Sequence, residues 1–190
     1  MKKKILVPVV ATLMLLSCMV GGTFAYLVDK TDEKVNTFTV GDVDIDLKET
    51  TTDYKMVPAT EIAKDPKVTI EAGSEACYLF VEITESSNLT QYISYETADG
   101  WTKLTGDSVP NYVYYREVDK DTANQGTTYS VLEGDKVTVL ANVTKEMLDG
   151  IENDTIADPT LTFTAYAIQQ AGVTDAADAW AKIKEDTALN

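Results

Sequence analysis

The sequence predicts an all-β protein, a jelly-roll-like antiparallel β-sandwich with short peripheral helices, preceded by a cleaved signal peptide. Three observations carry this reading. Short apolar/polar alternations recur along the chain, glycine and aspartate turns separate them, and the first 25 or so residues differ in composition from the rest. In that leader Lys2, Lys3 and Lys4 form a positive n-region and Ile5 to Val20 an apolar h-region. Thr23 and Ala25 form a small-x-small cleavage site, so the mature chain is expected to begin at Tyr26. The h-region is marginal as a membrane span. About 20 apolar residues are needed to cross a bilayer, and this run contains Pro8, is interrupted by Gly21 and Gly22 and soon meets Asp29. Membrane contact is therefore expected only through an uncleaved leader. Leu15-Leu16-Ser17-Cys18 loosely resembles a lipobox that would be processed at Cys18, although Leu16 fits that pattern poorly.

The elements follow in order. Residues 26–38 form an N-terminal segment in which Tyr26, Leu27, Val28, Val35 and Phe38 are apolar and the link between them is charged. A domain over 39–170 is expected to hold the sandwich. Thr37 to Val40 reads as a first strand and Gly41-Asp42 as a turn. Val43, Ile45 and Leu47 then alternate with Asp42, Asp44 and Asp46, which gives one apolar face and one row of carboxylates. Thr50 to Asp65, with Pro58 inside it and Pro66 next, reads as a connection between sheets. Val68 to Glu71 is a short strand, and Ala72-Gly73-Ser74 a turn. Cys77 to Ile83 is the strongest strand, apolar on both faces and so expected near the centre. Tyr92 to Glu96, Trp101 to Leu104, Tyr112 to Val118, Thr127 to Leu132, Lys136 to Val143 and Thr160 to Ile168 supply further strands. Asp119 to Gly126 reads as a polar loop, and Lys145 to Leu148 as a short helix capped by Thr144. In the tail, 171–190, Ala176, Trp180 and Ile183 share a helical face expected to pack on the sandwich.

Composition narrows the chemistry. The formal charge of −15 becomes −18 once Lys2, Lys3 and Lys4 leave with the leader, and such a field repels nucleic acid and anionic membrane. The mature chain keeps one cysteine, Cys77, so no intrachain disulfide can form, and its apolar strand marks that thiol as buried and inert. There is no histidine, which removes the usual general base and the commonest zinc ligand. Asp42, Asp44 and Asp46 invite a hard cation, but side chains two apart on a strand are separated by roughly 6.5 to 7 Å, too far for one calcium ion. Asp119 to Gly126 has residues of a calcium loop at the wrong spacing. No catalytic, cofactor-binding or metal-binding residue is assigned, and no enzyme is expected. Four tyrosines, Tyr95, Tyr112, Tyr114 and Tyr115, stand close in sequence. The group around Tyr112, Tyr114 and Tyr115 would serve a monomeric surface-binding module, while core packing accounts for it equally simply. The segment 26–38 has the pattern either of an ordinary first strand or of one that completes a neighbour's sheet.

Gly21-Gly22-Thr23-Phe24-Ala25-Tyr26, followed by Asn36-Thr37-Phe38-Thr39-Val40-Gly41 and Asp44-Ile45-Asp46-Leu47, resembles the TasA and camelysin group. These are exported proteins of Gram-positive bacteria processed by a signal peptidase of the SipW type. The resemblance implies a secreted subunit of biofilm-matrix fibres at the cell surface or in the extracellular matrix. In it the segment starting at Tyr26 would donate a strand to another copy or to a related matrix subunit. It also brings the label of metallopeptidase carried by camelysins, which a chain without histidine fits poorly.

Overall fold

The structure is a computed structural model that describes residues 42–51, 54–106, 109–110 and 112–189, with side chains up to 186. All of these lie within one compact unit, Val40–Asn190. The leader, the Ala25/Tyr26 cleavage site, the segment with Tyr26, Leu27, Val28, Val35 and Phe38, and the strand expected at Thr37 to Val40 fall outside the described residues.

Strand β4, Cys77–Glu85, organises the rest. It lies inside a four-stranded antiparallel sheet of order β10-β4-β7-β6, between β10 (Leu161–Gln169) and β7 (Val113–Val118), with β6 (Thr102–Lys103) beyond. Its pairing with β10 runs the full nine residues and sets Leu79 opposite Ala167 and Val81 opposite Ala165, large beside small. Because side chains alternate, Cys77, Leu79, Val81 and Ile83 point to one face while Tyr78 and Phe80 point to the other.

The first face packs on two three-stranded sheets, both antiparallel. One has the order β1-β3-β8, from Ile45–Lys48, Lys67–Ile70 and Thr127–Ser130. The other has the order β2-β9-β5, from Glu61–Ala63, Lys136–Val139 and Ile93–Ser94. Val68, Ile70, Val131, Leu132 and Val137 are buried against the β4 residues, and Val43, Ile45 and Leu47 pack on the same core. The apolar face expected at the start of the chain is therefore the inner face. Its register is fixed by Ile45 opposite Ile70 and Leu47 opposite Val68.

The second face of β4 is covered by a helix. Among the described residues there are three: α1 (Lys120–Gln125), α2 (Lys145–Glu152) and α3 (Ala176–Leu189). Helix α3 starts where Asp175 Oδ1 accepts the N–H groups of Ala177 and Asp178, two of the donors that a helix start leaves unpaired. It buries Ala176, Ala179, Trp180 and Ile183 on Phe80. The Trp180 ring lies 5.4 Å from Phe80 and 5.4 Å from Tyr166, edge-on to the latter. Lys184 ties the helix to β4 through Glu82 at 2.9 Å.

Three expectations need correction. The loop expected at Asp119 to Gly126 contains α1, because Asp119 caps it by accepting from Thr122 N at 2.8 Å and Ala123 is fully buried in the core. Gly126 ends it at φ +77°, where an added Cβ would sit 3.1 Å from the Ala72 backbone nitrogen. The connection expected at Thr50 to Asp65 includes strand β2, whose Ile62 reaches the core although the flanking positions are exposed. The strand expected at Tyr92 to Glu96 is two residues long, since Leu89–Gln91 forms a 3-10 turn that drives Tyr92 inward. The short helix was placed correctly at its start, with Thr144 Oγ1 accepting from Met147 N, and α2 runs further, to Glu152.

Trp180→Ala should cost about 3 to 5 kcal/mol in denaturant unfolding, the range for removing a large aromatic from a packed core. Trp180→Phe should cost less than half as much, because the indole N–H has no hydrogen-bond partner to lose. Equal losses for the two would place the binding of α3 elsewhere than on ring packing.

Candidate functional site

In each of the three sheets one outer strand faces the same depression. Among the described residues strands β1, β2 and β10 each pair on one side only, and residues of all three line a groove of about 750 Å³. Leu47 of β1 alternates with Glu49 just after it and Ile62 of β2 with Lys64 just after it, while β10 and the residues before it contribute the continuous run Asp158 to Phe163. Residues two apart on an extended chain share a face, so Leu47 with Glu49 and Ile62 with Lys64 look into the groove from strands that are outermost in their sheets among the described residues.

An ion pair sits in this lining, which is apolar at Leu47, Met56, Ile62, Leu161 and Phe163 and polar at Asp158, Thr160 and Thr162. Lys64 Nζ lies 3.0 and 3.2 Å from the two oxygens of Glu49. The two side chains are only 10% and 13% exposed, the most enclosed pair among the described residues. The ammonium also lies 4.8 Å from the centre of the Tyr54 ring and 5.2 Å from that of Phe163. Aromatic faces stabilise a cation where water is scarce. Burial, and then the nearby charges of Glu49 and Asp65, push the Tyr54 hydroxyl up to about 12. The pair bridges the end of β1 and the end of β2 across the gap between their sheets.

The residues singled out from sequence are dispersed. Asp42 bonds back to Val43 N, Asp46 pairs with Lys48, and among the described residues no group of three or more acids or cysteines could hold a metal ion. Asp119 is occupied as a helix cap, and its exposed carboxyl is held below the usual range by the Thr122 N–H. Cys77 is fully buried, and burial alone pushes its thiol up to about 11. The tyrosines split between two faces of β7. Tyr115 packs with Tyr78 and Phe80 on the helix side. Tyr95, Tyr112 and Tyr114 line a separate cleft of about 480 Å³. There Tyr95 donates to Glu85 at 2.5 Å, and burial raises both Tyr95 and Tyr114. A single ligand platform of Tyr112, Tyr114 and Tyr115 is thus ruled out by strand alternation.

Glu49, Lys64, Tyr54 and Phe163 went unnoticed in the sequence. One signal was available for Glu49, since it continues the Val43-Ile45-Leu47 alternation into a position that faces inward. Nothing comparable marks Lys64.

The architecture is that of an all-β protein of antiparallel sheets with few short helices, and among the described residues no helix is long and apolar enough to cross a membrane. Residues 1–72 match the family model described as camelysin metallo-endopeptidase, in agreement with the resemblance to the TasA and camelysin group read from the first 47 residues. No curated protein and no solved structure is matched. The family match takes in β1, β2 and β3, and with them Glu49 and Lys64, while β4, β10 and α3 lie beyond it.

Two outcomes are expected. Lys64→Met should destabilise the fold by about 2 kcal/mol, because Glu49 is left enclosed without its partner, whereas Lys64→Met with Glu49→Leu should return to within about 1 kcal/mol of the parent. Urea unfolding of both variants decides this, and a double variant as unstable as the single one would mean that the pair itself holds the sheets. Cys77 should resist a thiol reagent at pH 8 in the folded protein and react at once in denaturant. Its raised pKa favours the neutral thiol, so this contribution to stability is complete below about 9 and is lost as the pH climbs through about 11.

Proposed function

We propose that this chain is a secreted structural protein, a subunit of extracellular biofilm-matrix fibres, in which the segment Tyr26 to Phe38 of one copy adds as a strand to the next. The observation that supports it most is the groove. Three strands that are outermost among the described residues line one groove with apolar stretches, and a β-strand is a ligand that pairs with a sheet edge and fills apolar pockets together. Such edges left uncovered are a hazard for uncontrolled pairing, which natural proteins avoid or use. The acidic surface keeps copies apart until a specific strand docks. In this reading the four-stranded sheet and the two smaller sheets form a jelly-roll-like sandwich, a SipW-type peptidase releases the chain at Ala25/Tyr26, and a related subunit is an alternative partner.

The similarity to a family described as a metallo-endopeptidase favours a second reading. We weigh it lower, since the chain has no histidine and any metal would need a carboxylate set. The non-enzymatic reading therefore leads.

Negative-stain electron microscopy of the chain starting at Tyr26, beside the same chain starting at Thr39, tests the proposal. Fibres are expected only from the longer chain. Fibres from both would remove the N-terminal strand from assembly, and dispersed particles from both would turn attention to the tyrosine cleft.

A further inference from the structure

The Glu49–Lys64 pair makes the groove selective as well as apolar. A strand that covers it removes the last water from two opposite charges, so the guest residue above them decides the cost. A large apolar side chain leaves their remaining hydrogen-bonding capacity unmet. A charged one repels one member and unbalances the pair. An uncharged amide does neither, because it donates through its NH₂ and accepts through its carbonyl.

This chemistry can be set against the segment that the proposed function assigns as guest, and the inference rests on that reading. Residues 29, 30, 32, 33 and 34 of that segment are Asp29, Lys30, Asp32, Glu33 and Lys34, each charged. Thr31 has charged residues two positions away on both sides, which would share its face against Leu47, Ile62 and Phe163 beside the ion pair. Tyr26 and Val28 share a face without an amide. Asn36 differs. It carries a carboxamide, and Phe38, two residues on, shares its face, just as Leu47 precedes Glu49 and Ile62 precedes Lys64 by two in the groove. A guest strand and two of the three walls therefore have the same period of one apolar and one polar side chain.

We propose that the Glu49–Lys64 pair sets the register of assembly by receiving the Asn36 carboxamide of a second copy, with Phe38 of that copy against the apolar part of the groove. Val35 to Phe38, and not Tyr26 to Val28, is then the part of the segment that the groove reads.

The test uses the chain starting at Tyr26, in sedimentation velocity over a range of concentrations, with thermal unfolding to show that each variant folds. Asn36→Leu and Asn36→Asp should each raise the concentration needed for half-assembly about tenfold. In the apolar groove made by Glu49→Leu with Lys64→Met the preference should invert, so that Asn36→Leu recovers assembly and the parent Asn36 loses it. Equal losses for Asn36→Leu in both grooves, or none in either, overturn the assignment while leaving strand donation intact, as would assembly that depends on Val28 alone. A closed monomer at all concentrations whose stability falls with Asn36→Leu places the segment in its own groove and overturns the second copy as partner. A parent chain that never assembles overturns the proposed function itself, and this register with it.

Discussion

A strand that is apolar on both faces cannot stand at the surface of a domain, and strand β4 imposes that condition on the whole chain. Cys77, Leu79, Val81 and Ile83 require cover on one side, Tyr78 and Phe80 on the other. The two small sheets meet the first demand and α3 the second. The helix is thus a consequence of β4 and not an ornament of the tail, since without it Phe80 and the aromatic rings around it would face water. Burying Trp180 and Phe80 contributes roughly 1.5 to 3 kcal/mol for each side chain, large against a net stability on the order of 10 kcal/mol. Among the described residues Cys77 is free and no disulfide shares that load, so core packing holds this part of the fold.

The two small sheets meet the demand of β4 as separate hydrogen-bonded ladders, joined by side-chain pairs such as Lys67 with Asp135 and Lys64 with Glu49, and β1 packs beside β10. Among the described residues β1, β2 and β10 are the outermost strands of the three sheets and line one groove. Natural sheets commonly blunt such edges with charge or cover. In this chain the charge is drawn inward. Glu49 and Lys64 are held among Tyr54 and Phe163, where desolvation erodes most of what their attraction gains. An ion pair in that position is weak as a stabiliser, and its physical value lies in what it refuses to pack against.

Much of this was legible in the sequence, for reasons tied to particular residues. Alternation over Val43 to Leu47 and over Cys77 to Ile83 located β1 and β4, and the two-faced character of the latter placed it inside a sheet. The spacing of Ala176, Trp180 and Ile183 located α3 and its buried side. Helix α1 was missed because its cap, Asp119, and its polar surface read equally well as a turn, and only the burial of Ala123 separates the two. Strand β2 was missed because three residues with one inward side chain carry almost no periodic signal. The groove was beyond reach for a different reason. Its walls come from sequence positions near 47, 62 and 161, and the enclosure of Lys64 is a property of all three together.

The reach of the family similarity can be judged in the same physical terms. It ends at residue 72, so it takes in two walls of the groove and both members of the ion pair but not β10, β4 or α3. A name attached to that portion passes on what that portion can do. Residues 42–51 and 54–72 contribute strands β1, β2 and β3, an enclosed ion pair and a row of aspartates that are occupied by Val43 N and Lys48 or spaced too widely for one ion. Peptide hydrolysis by a metal needs several ligands converging on one point and an open position for water, whereas strand capture needs a free edge and an apolar trough. The described part of the match supplies strands, an apolar wall and an enclosed ion pair, so what the shared portion contributes physically is one side of the groove.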